Sequence, residues 1–394
     1  MNNWITKPFR DIATFPPKVS LEKEHFFSFI PMDVVNEGYK YVSPKEFKKW
    51  TGSGGAKFEN GDTLFARITP CLQNGKIAQA KNLPSGKGFG STEFFVFRGK
   101  ENVSDSDFIY YFAKTDDFRS YAIGSMVGAS GRQRADATYV GNYEVNLPPL
   151  PTQKRISSIL SAYDDLIENN LKRIKLLEEI AQRTYEEWFV KFRVNGEELP
   201  IDEVTGLPFG WSNKKLVEVA ILTMGQSPKS EFYNTSNVGL PFHQGVSDYD
   251  FRFPKNSTWS TQGNRNAEKG DILFSVRAPV GRLNIAIEKI ILGRGLASIR
   301  HKTGLNNKLY YQLQNIFFKD DLIGGGAIFN SVTKNDVQRI EVVIANDHTE
   351  FIFNSIVSDI DKQIEVLTLQ IRLLKQSRDI LLPRLMSGTI NVES

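Results

Sequence analysis

The residue types that usually form catalytic or metal sites are few and scattered in this sequence. The four histidines, His25, His243, His301 and His348, lack the spacing of metal ligands, and the one cysteine, Cys71, cannot build a thiolate site alone. No Walker A phosphate-binding motif is present. These residues therefore predict neither a metal centre nor a nucleotide-binding loop.

One weak pattern leaves nuclease chemistry open as an alternative. Asp33, followed by Glu46 and Lys48, resembles the acid and Glu-x-Lys arrangement of metal-dependent nucleases. The segment KEFKKW (45–50) is, however, more typical of a solvated amphipathic helix. The glycines at 324–326 lack the spacing of a dinucleotide-binding fingerprint and predict a flexible turn.

A larger group of polar residues has the chemistry of nucleic-acid recognition. Arginine suits the O6 and N7 atoms of guanine, Asn and Gln suit N6 and N7 of adenine, and Lys, Ser and main-chain amides suit phosphates. Such residues occur in glycine-containing loops of both halves of the chain. The candidate DNA-binding residues are Ser130, Arg132, Gln133, Arg134, His243, Gln244, Asn264, Arg265, Arg277, Arg282, Asn330 and Ser331. A solvated loop position explains each residue alone equally well, whereas the clustering favours contact.

The elements that must position these loops are repeated within the chain. Residues 156–188 and 353–385 align without a gap at an offset of 197, and nine of the twenty positions in 158–177 are identical. The globular parts repeat more loosely: GDTLFARITPCLQNGKIA (61–78) corresponds to GDILFSVRAPVGRLNIA (270–286). The repeat predicts a duplicated order of globular part, helix, globular part, helix.

Both copies of the tighter repeat have the periodicity of a long helix with one buried face. Apolar residues recur every 3.5 positions and form a seam that a second helix would bury. The predicted seam residues are Ile156, Leu160, Tyr163, Ile167, Asn170, Ile174, Leu177, Phe353, Val357, Ile360, Ile364, Leu367, Ile371 and Leu374. Asn170 is polar where its repeat equivalent is Leu367. It is either a register or partner-docking device or a position exposed at a frayed seam.

The predicted fold class is α+β, with two similar globular α/β domains alternating with two long helices. The expected segments are domain 1 at 1–150, helix 1 at 151–192, a linker at 193–210, domain 2 at 211–345, helix 2 at 346–388 and a tail at 389–394. Residues 63–68, 92–98 and 143–148 predict strands, and residues 104–123 predict a helix capped by Ser104 or Asp105.

The ends of the long helices carry their own signals. Thr152 follows three prolines and is a reasonable N-cap for the first helix. Pro383 predicts a bend or an end in the second helix, and Gly388 suits its C-cap.

Composition places the chain among ordinary globular proteins. It has 394 residues, 40% hydrophobic and 24% charged, with a net charge of +4. Residues 210–345 carry 17 Lys and Arg against 11 Asp and Glu, so the positive balance lies outside the long helices. No apolar run is long enough to span a membrane, and the N-terminus lacks a signal-peptide pattern. With one cysteine, these features favour the cytoplasm and no membrane association.

The segment order and several motifs resemble the specificity (S) subunits of type I restriction–modification systems. The first helix opens with LPPLPTQKRISSIL and the second closes with LLPRLMSG. GSTEFFVFR, YEEWFVKF, GQSP and GLPFHQG, together with the two GD-containing segments above, are also similar to those of that family. The similarity covers essentially the whole chain. The entry to the second helix, IANDHTEFIF (344–353), lacks the Pro-Leu-Pro opening.

The resemblance implies a non-catalytic target-recognition subunit. The globular parts would be target-recognition domains, each reading half of a split double-stranded DNA sequence through the major groove. The long helices would pair as an antiparallel coiled coil, whose length would fix the number of unspecified base pairs between the half-sites. Two methyltransferase (M) subunits and two restriction-translocase (R) subunits would join the S subunit. The S subunit would need no cofactor, because AdoMet belongs to M and ATP to R. Contact residues do not carry over between family members.

An interpretation from a different class is a coiled-coil scaffold whose globular ends bind proteins and do not read DNA sequence. Binding to duplex DNA at low salt, with and without M, separates this interpretation from the first.

Overall fold

The computed structural model describes residues 3–129, 131–318 and 332–392. The chain divides into two compact units. Unit 1 spans Met1–Arg173 and Val366–Ser394, and unit 2 spans Ile174–Glu365. Each unit therefore combines one globular domain with part of both long helices. None of the helices in the described part of the chain has the length and apolar composition needed to cross a membrane.

The globular domain of unit 1 is built mainly from short strands. Its strands are β1 (Ile5–Pro8), β2 (Ala13–Thr14), β3 (Phe26–Ile30), β4 (Tyr41–Val42), β5 (Glu46–Lys49), β6 (Ala56–Glu59), β7 (Thr63–Ala66), β8 (Ile77–Ala80), β9 (Lys87–Gly90), β10 (Phe94–Gly99) and β11 (Glu144–Leu147). Its helices are α1 (Phe9–Ile12), α2 (Ser106–Ala113), α3 (Asp116–Gly124) and α4 (Ala137–Gly141). The three strands expected from the sequence are confirmed as β7, β10 and β11.

These strands form three sheets, two of which contribute residues to an aromatic core. Their orders are β2-β10-β7-β8-β4, β5-β3-β9-β6 and β1-β11. Phe9, Phe65, Phe97 and Phe118 are fully or almost fully buried. The ring centroids of Phe9 and Phe118 lie 4.7 Å apart. Burial of these rings supplies the main stabilisation of the domain.

The helix expected at 104–123 is two helices, α2 and α3. Asp105 caps α2 as expected, since its carboxylate accepts a 2.9 Å hydrogen bond from the amide of Phe108. Thr115 has an extended backbone with ψ of 146°, and this residue ends the first helix and begins the second. Thr115 also donates its hydroxyl to the carbonyl of Phe112, a side-chain bond that competes with helical continuation.

The expectation of a helix at KEFKKW (45–50) was wrong. Glu46–Lys49 form β5, an edge strand paired antiparallel with β3 through Phe26 opposite Lys49 and Phe29 opposite Glu46. All four residues of β5 are exposed. Lysines on an exposed edge strand discourage pairing with another chain.

The first long helix is α5 (Leu150–Phe189), and a short hairpin of β12 (Arg193–Val194) and β13 (Glu197–Glu198) follows it. The globular domain of unit 2 comes next. Its strands are β14 (Ser212–Lys215), β15 (Ala220–Met224), β16 (Tyr233–Asn234), β17 (Leu240–His243), β18 (Trp259–Ser260), β19 (Asn266–Ala267), β20 (Ile272–Ser275), β21 (Leu283–Ile285), β22 (Ile290–Leu292), β23 (Leu296–His301) and β24 (Glu341–Ile344). Its helices are α6 (Leu216–Val219), α7 (Asn306–Phe318) and α8 (Lys334–Gln338), and α9 (Asp347–Met386) is the second long helix.

The sheets of unit 2 largely repeat the topology of unit 1, with β16 added and no counterpart of β4 among the described strands. Their orders are β15-β23-β20-β21, β16-β18-β17-β22-β19 and β14-β24. The β14-β24 pair corresponds to β1-β11, with Ser212 opposite Ile344 as Ile5 is opposite Leu147. Short 3-10 turns lie at Met32–Val34, Ser230–Phe232 and Val246–Asp248.

The two long helices each contain 40 residues and extend about 60 Å. Their capping differs from the expectation. Thr152 is not the N-cap of α5, because the helix already includes Leu150 and Pro151 in its first turn. Pro383 does not end α9, which continues to Met386. Gly388 adopts a φ of 72° just beyond α9, as a C-terminal glycine should.

The helices pair antiparallel inside each unit. In unit 1, Leu382 and Leu385 from the end of α9 join the core that contains Ile156 and Leu160 from the start of α5. In unit 2, Phe353 from the start of α9 packs on Phe189 from the end of α5, with ring centroids 4.9 Å apart.

Candidate nucleic-acid interface

Strand register gathers several candidate residues at one edge of unit 2. β17 and β22 are parallel, with His243 beside Leu292, so their carboxyl ends meet at the same edge. β19 runs antiparallel to β22, and the amide of Leu292 donates to the carbonyl of Arg265 at 2.8 Å. Gln244, Asn264 and Arg265 therefore lie at this edge, and all three are exposed.

Glycines allow three backbone segments to touch there. A Cβ atom on Gly293 would lie 2.6 Å from the Cα of Gln244, and one on Gly225 would lie 2.1 Å from the carbonyl oxygen of Gly293. Only hydrogen fits at these positions. The segments 225–227, 243–245 and 293–295 consequently form one continuous ridge.

The ridge holds polar side chains in defined positions. Ser227 Oγ donates to Gln244 Oε1 at 2.8 Å, and the amide of Arg294 donates to Ser227 Oγ at 3.2 Å. Gln226 and Arg294 are exposed beside them. The sequence-based prediction of DNA-binding residues did not include Gln226, Ser227 and Arg294. GQSP (225–228) was nevertheless one of the motifs that carried the family resemblance.

The sheet of unit 2 that contains β20 and β23 places Arg277 and Arg282 at the same end of the domain as the ridge. Ser275 lies opposite Leu296, and the amide of Val276 donates to the carbonyl of Gly295 at 2.9 Å. Arg277 follows directly and is exposed. Arg282 is also exposed, and its amide donates to Ser275 Oγ at 2.8 Å. Both arginines therefore stand close to the ridge.

His243 is buried and does not belong to this surface, contrary to the expectation. Its exposed fraction is 0%. Its Nε2 lies 3.1 Å from Asn256 Oδ1, and its Nδ1 lies 3.4 Å from Asp248 Oδ2. Burial raises the pKa of Asp248, but hydrogen bonds to His243 and Ser257 outweigh it, so the pKa lies below its ordinary value. His243 supports the strand end behind Gln244.

In unit 1, the candidate loop crosses the corresponding strand ends. The amide of Ala135 donates to the carbonyl of Arg67 at 2.8 Å, just after β7. The amide of Thr69 donates to the carbonyl of Gln133 at 3.0 Å. Arg132 is exposed and Gln133 is half-buried.

Arg134 already has a counter-ion. Its Nη2 lies 2.7 Å from Glu93 Oε1. Hydrogen bonding to Glu93 raises the pKa of Arg134, and the same bond lowers the pKa of Glu93. Arg134 therefore fixes the base of the loop, and Arg132 is the better placed arginine for an external anion.

Three candidates lie outside the described residues, namely Ser130, Asn330 and Ser331. The glycines 324–326 also lie outside them. The described chain resumes at Val332, whose amide donates to the carbonyl of Val276 at 3.0 Å. This bond is the repeat equivalent of the bond from Ala135 to Arg67.

The predicted seam residues face inward on both helices. Ile156, Leu160, Ile167, Asn170, Ile174, Phe353, Val357, Ile364, Leu367 and Ile371 are buried, and Tyr163, Leu177, Ile360 and Leu374 are half-buried. Asn170 is 5% exposed, and its Nδ2 donates to Gln370 Oε1 at 3.3 Å across the helix pair. Asn170 is thus not an exposed residue at a frayed seam.

A buried charged cluster attaches the domain of unit 1 to the helices, and sequence reasoning missed it. Asp164 on α5 accepts a hydrogen bond from the hydroxyl of Tyr111 at 2.5 Å and pairs with Arg378 on α9. Lys40 bonds to Asp107 and to Ser161, both at 2.8 Å. Arg378 is 0% exposed and Lys40 is 2% exposed.

Unit 2 has an equivalent cluster with a different source of positive charge. Asp361, the repeat equivalent of Asp164, accepts a hydrogen bond from Tyr311 at 2.6 Å and pairs with Arg252. Arg252 is 1% exposed, lies 3.3 Å from Glu178, and stacks over Tyr310 at 4.2 Å. The guanidinium here comes from the domain and not from the partner helix.

In the part of the chain that the structure describes, no group of three or more His, Cys, Asp and Glu could hold a metal ion. Asp33 pairs with Lys45 at 2.9 Å, and Glu46 pairs with Lys48 at 3.1 Å, in two exposed ion pairs. This arrangement gives the nuclease interpretation no further basis.

Comparison with known proteins identifies similar chains. The model of the type I restriction modification DNA specificity domain matches residues 3–179 and 208–376. The type I restriction enzyme MjaIX specificity subunit of Methanocaldococcus jannaschii is 27% identical over 99% of this chain and 94% of its own length. The type I restriction enzyme EcoEI specificity subunit of Escherichia coli is 30% identical over 45% of this chain and 31% of its own length.

A solved structure shares the fold. It is the crystal structure of the type I restriction–modification system S subunit from M. genitalium, at 16% identity and a TM-score of 0.59. The similarity covers 98% of this chain and 96% of that one.

Proposed function

Because this chain belongs to the family of type I restriction modification DNA specificity domains, we propose that it is the sequence-reading subunit of a type I restriction–modification complex. Each globular domain reads one half of a split double-stranded DNA target. The chain catalyses no reaction itself and assembles with methyltransferase (M) and restriction (R) subunits. Two copies of each partner would join one chain, in the cytoplasm.

The observation that carries the proposal for unit 2 is the convergence of exposed hydrogen-bonding residues at one edge. Residues from separate segments lie together beside the glycine-lined ridge, namely Gln244, the neighbours Asn264 and Arg265, and Arg277. Arginine and the side-chain amides form the bidentate contacts that distinguish guanine and adenine in the major groove. Cations also favour approach of the phosphate backbone.

The corresponding surface of unit 1 supports a second reader. The loop that carries Arg132 and Gln133 lies across the ends of β7 and β10, where unit 2 places Arg277. The two surfaces share a frame and differ in residues. Two such readers in one chain suit a target whose halves differ in sequence.

The function is tested by the complex of this chain with its M subunit. We expect methylation of a split DNA site, with both half-sites required, and sequencing of methylated genomic DNA should report both half-sites and the gap between them. Binding should weaken steeply with salt, because phosphate neutralisation releases counterions.

Two results would contradict this proposal. The first is no binding to any duplex at low salt, with or without M, which would favour the protein-binding scaffold. The second is methylation of unsplit sites only.

Alanine substitutions should separate the two readers. Arg277→Ala and Gln244→Ala should weaken binding only through the second half-site, and Arg132→Ala only through the first. A lost bidentate base contact costs about 1–3 kcal/mol of binding free energy. Competition binding against DNA with a single altered half-site measures the effect.

The matched control is Lys289→Ala. Lys289 precedes β22 and therefore lies at the opposite end of the strand that leads to Arg294. It should leave both half-sites unaffected. Equal weakening on every sequence by Arg277→Ala would instead assign a phosphate contact, and no weakening would remove Arg277 from the interface.

A further inference from the structure

The two long helices carry different charges at equivalent positions near the buried clusters. At the offset of 197, Glu178 of α5 corresponds to Lys375 of α9, and Ala181 corresponds to Arg378. Ala181 and Arg378 are both 0% exposed. The next position along is Gln182 in α5 and Asp379 in α9.

Unit 1 requires the residues of α9. Arg378 pairs with Asp164 and donates to the carbonyl of Gly38 at 3.1 Å. Lys114, whose side chain is 14% exposed, lies 3.2 Å from Asp379. Lys375 lies 3.4 Å from the ring centroid of Tyr39.

Unit 2 requires the residues of α5. Arg252 already occupies the carboxylate of Asp361, and it also lies 3.3 Å from Glu178. The small side chain of Ala181 stands where unit 1 has Arg378. Tyr311 bonds to Asp361 as Tyr111 bonds to Asp164, and this match places Gln314 at the position of Lys114, where no counter-ion is needed.

We infer that these buried charges make the helix pair selective, so that α5 accepts only α9 and neither helix pairs with a second copy of itself. In a pair of two C-terminal halves, Arg378 and Lys375 would join Arg252 beside Asp361, and Asp379, which lies 2.9 Å from Arg378, would be the one carboxylate added. Three cations would then face two acids, of which only Asp361 is buried, and like charges in a buried site are strongly unfavourable.

A pair of two N-terminal halves fails for the opposite reason. Asp164 would face Ala181 in place of Arg378, and Lys114 would face Gln182 in place of Asp379. A buried charge that loses its partner is costly because its desolvation is no longer offset. The selectivity thus follows from mismatched charges as well as from matched ones.

The consequence goes beyond DNA reading and holds whether or not the chain binds DNA. Every helix pair must contain one N-terminal and one C-terminal half. An assembly built in this way always presents two different globular domains, and a symmetric assembly of two identical halves is excluded.

The test uses the full chain cut once in its exposed linker. A protease site is inserted after Val204, which is 92% exposed, and the folded protein is cleaved there. The cleaved protein is unfolded in urea and refolded, and native mass spectrometry counts mixed pairs and pairs of identical pieces. We expect mixed pairs to exceed identical pairs by at least about tenfold. Equal numbers of the two, as random pairing gives, would overturn the inference.

Two charge variants then identify the cause. Lys375→Glu with Arg378→Ala and Asp379→Gln gives α9 the residues of α5, and pairs of two C-terminal pieces should rise at least about tenfold. The reciprocal change, Glu178→Lys with Ala181→Arg and Gln182→Asp, should raise pairs of two N-terminal pieces.

The reciprocal variant decides the question if the first does not refold. The control is Lys362→Glu, on a 69% exposed side chain of α9, and it should change nothing. If the variants that refold give only mixed pairs, these charges do not select the partner and the inference is wrong.

Discussion

Replacing Arg252 by alanine is expected to destabilise unit 2 by about 3–5 kcal/mol in the free energy of unfolding. Arg252 is 1% exposed and is the cation that balances Asp361 and Glu178. Its removal leaves the buried carboxylate of Asp361 and the half-buried carboxylate of Glu178 without their cation, and it also removes the guanidinium packed on Tyr310. Urea unfolding of the full chain, with hydrogen exchange to localise the loss to unit 2, measures the effect.

The loss of unfolding free energy caused by Arg252→Ala should become smaller as pH falls. Burial raises the pKa of Glu178, and Arg252 opposes that rise in the wild-type protein. Without Arg252 the pKa of Glu178 in the folded state should rise further. A carboxyl whose pKa is higher in the folded than in the unfolded state favours folding when it is protonated. Its contribution to stability is therefore present below the unfolded-state pKa and is lost as pH rises through the folded-state pKa. Acid therefore recovers part of the lost stability.

A surface ion pair provides the control for this prediction. Lys255 is 64% exposed and lies 3.4 Å from Asp250 in the same domain. Lys255→Ala should cost about 0–1 kcal/mol. An Arg252→Ala deficit as small as that of the control, or one that does not vary with pH, would mean that the buried cluster contributes little to unit 2.

The long helices could be predicted from the sequence because the signal is local and repeated. Apolar residues every 3.5 positions fix both the helix and its buried face, and the register of the repeat fixes where the second copy lies. Helix ends were less certain. The prolines before Thr152 indicate a cap at that residue, yet Pro151 fits the first turn of α5, where no amide hydrogen is needed.

The error at β5 has a different physical origin. The residues Glu46, Lys48 and Lys49 are depleted in strands and suit a helix surface. Their strand conformation comes from hydrogen bonding to β3, a partner that no local pattern reveals. Tertiary pairing overrides local propensity at such an edge.

The candidate interface could be predicted only in part for the same reason. His243 and Gln244 are neighbours of similar chemistry, but successive residues of a strand point to opposite faces. Gln244 is exposed and His243 is buried, and only the strand register decides which is which. Ser227 and Arg294 reach the same ridge through glycine contacts between segments distant in sequence.

The buried clusters were beyond sequence reasoning because their partners are distant. Arg378 lies 214 positions from Asp164, and no local pattern connects the two. Arg252 lies in a loop with no helical or strand periodicity. With the contacts known, the repeat shows that Asp164 and Asp361 occupy equivalent positions. Arg378 and Arg252 do not.

Lengthening both long helices by seven residues is expected to change the DNA target without changing either half-site. The insertions belong at the boundaries between the units, after Arg173 in α5 and after Glu365 in α9. Seven residues are two seam periods, so the apolar faces stay in phase. They add about 10.5 Å of helix, which corresponds to about three base pairs at 3.4 Å each.

A linker insertion separates helix length from chain length. The same seven residues placed after Val204, in the exposed linker, should leave the target gap unaltered.

Sequencing of methylated DNA from cells that carry the lengthened chain and its M subunit should show the same half-sites with a gap longer by about three base pairs. The outcome rests on helix length because the half-site readers lie in the globular domains, which the insertions leave untouched. A wild-type gap in the lengthened protein would show that the helices do not set the spacing. A longer gap in the linker control would assign the spacing to the connection between the halves instead.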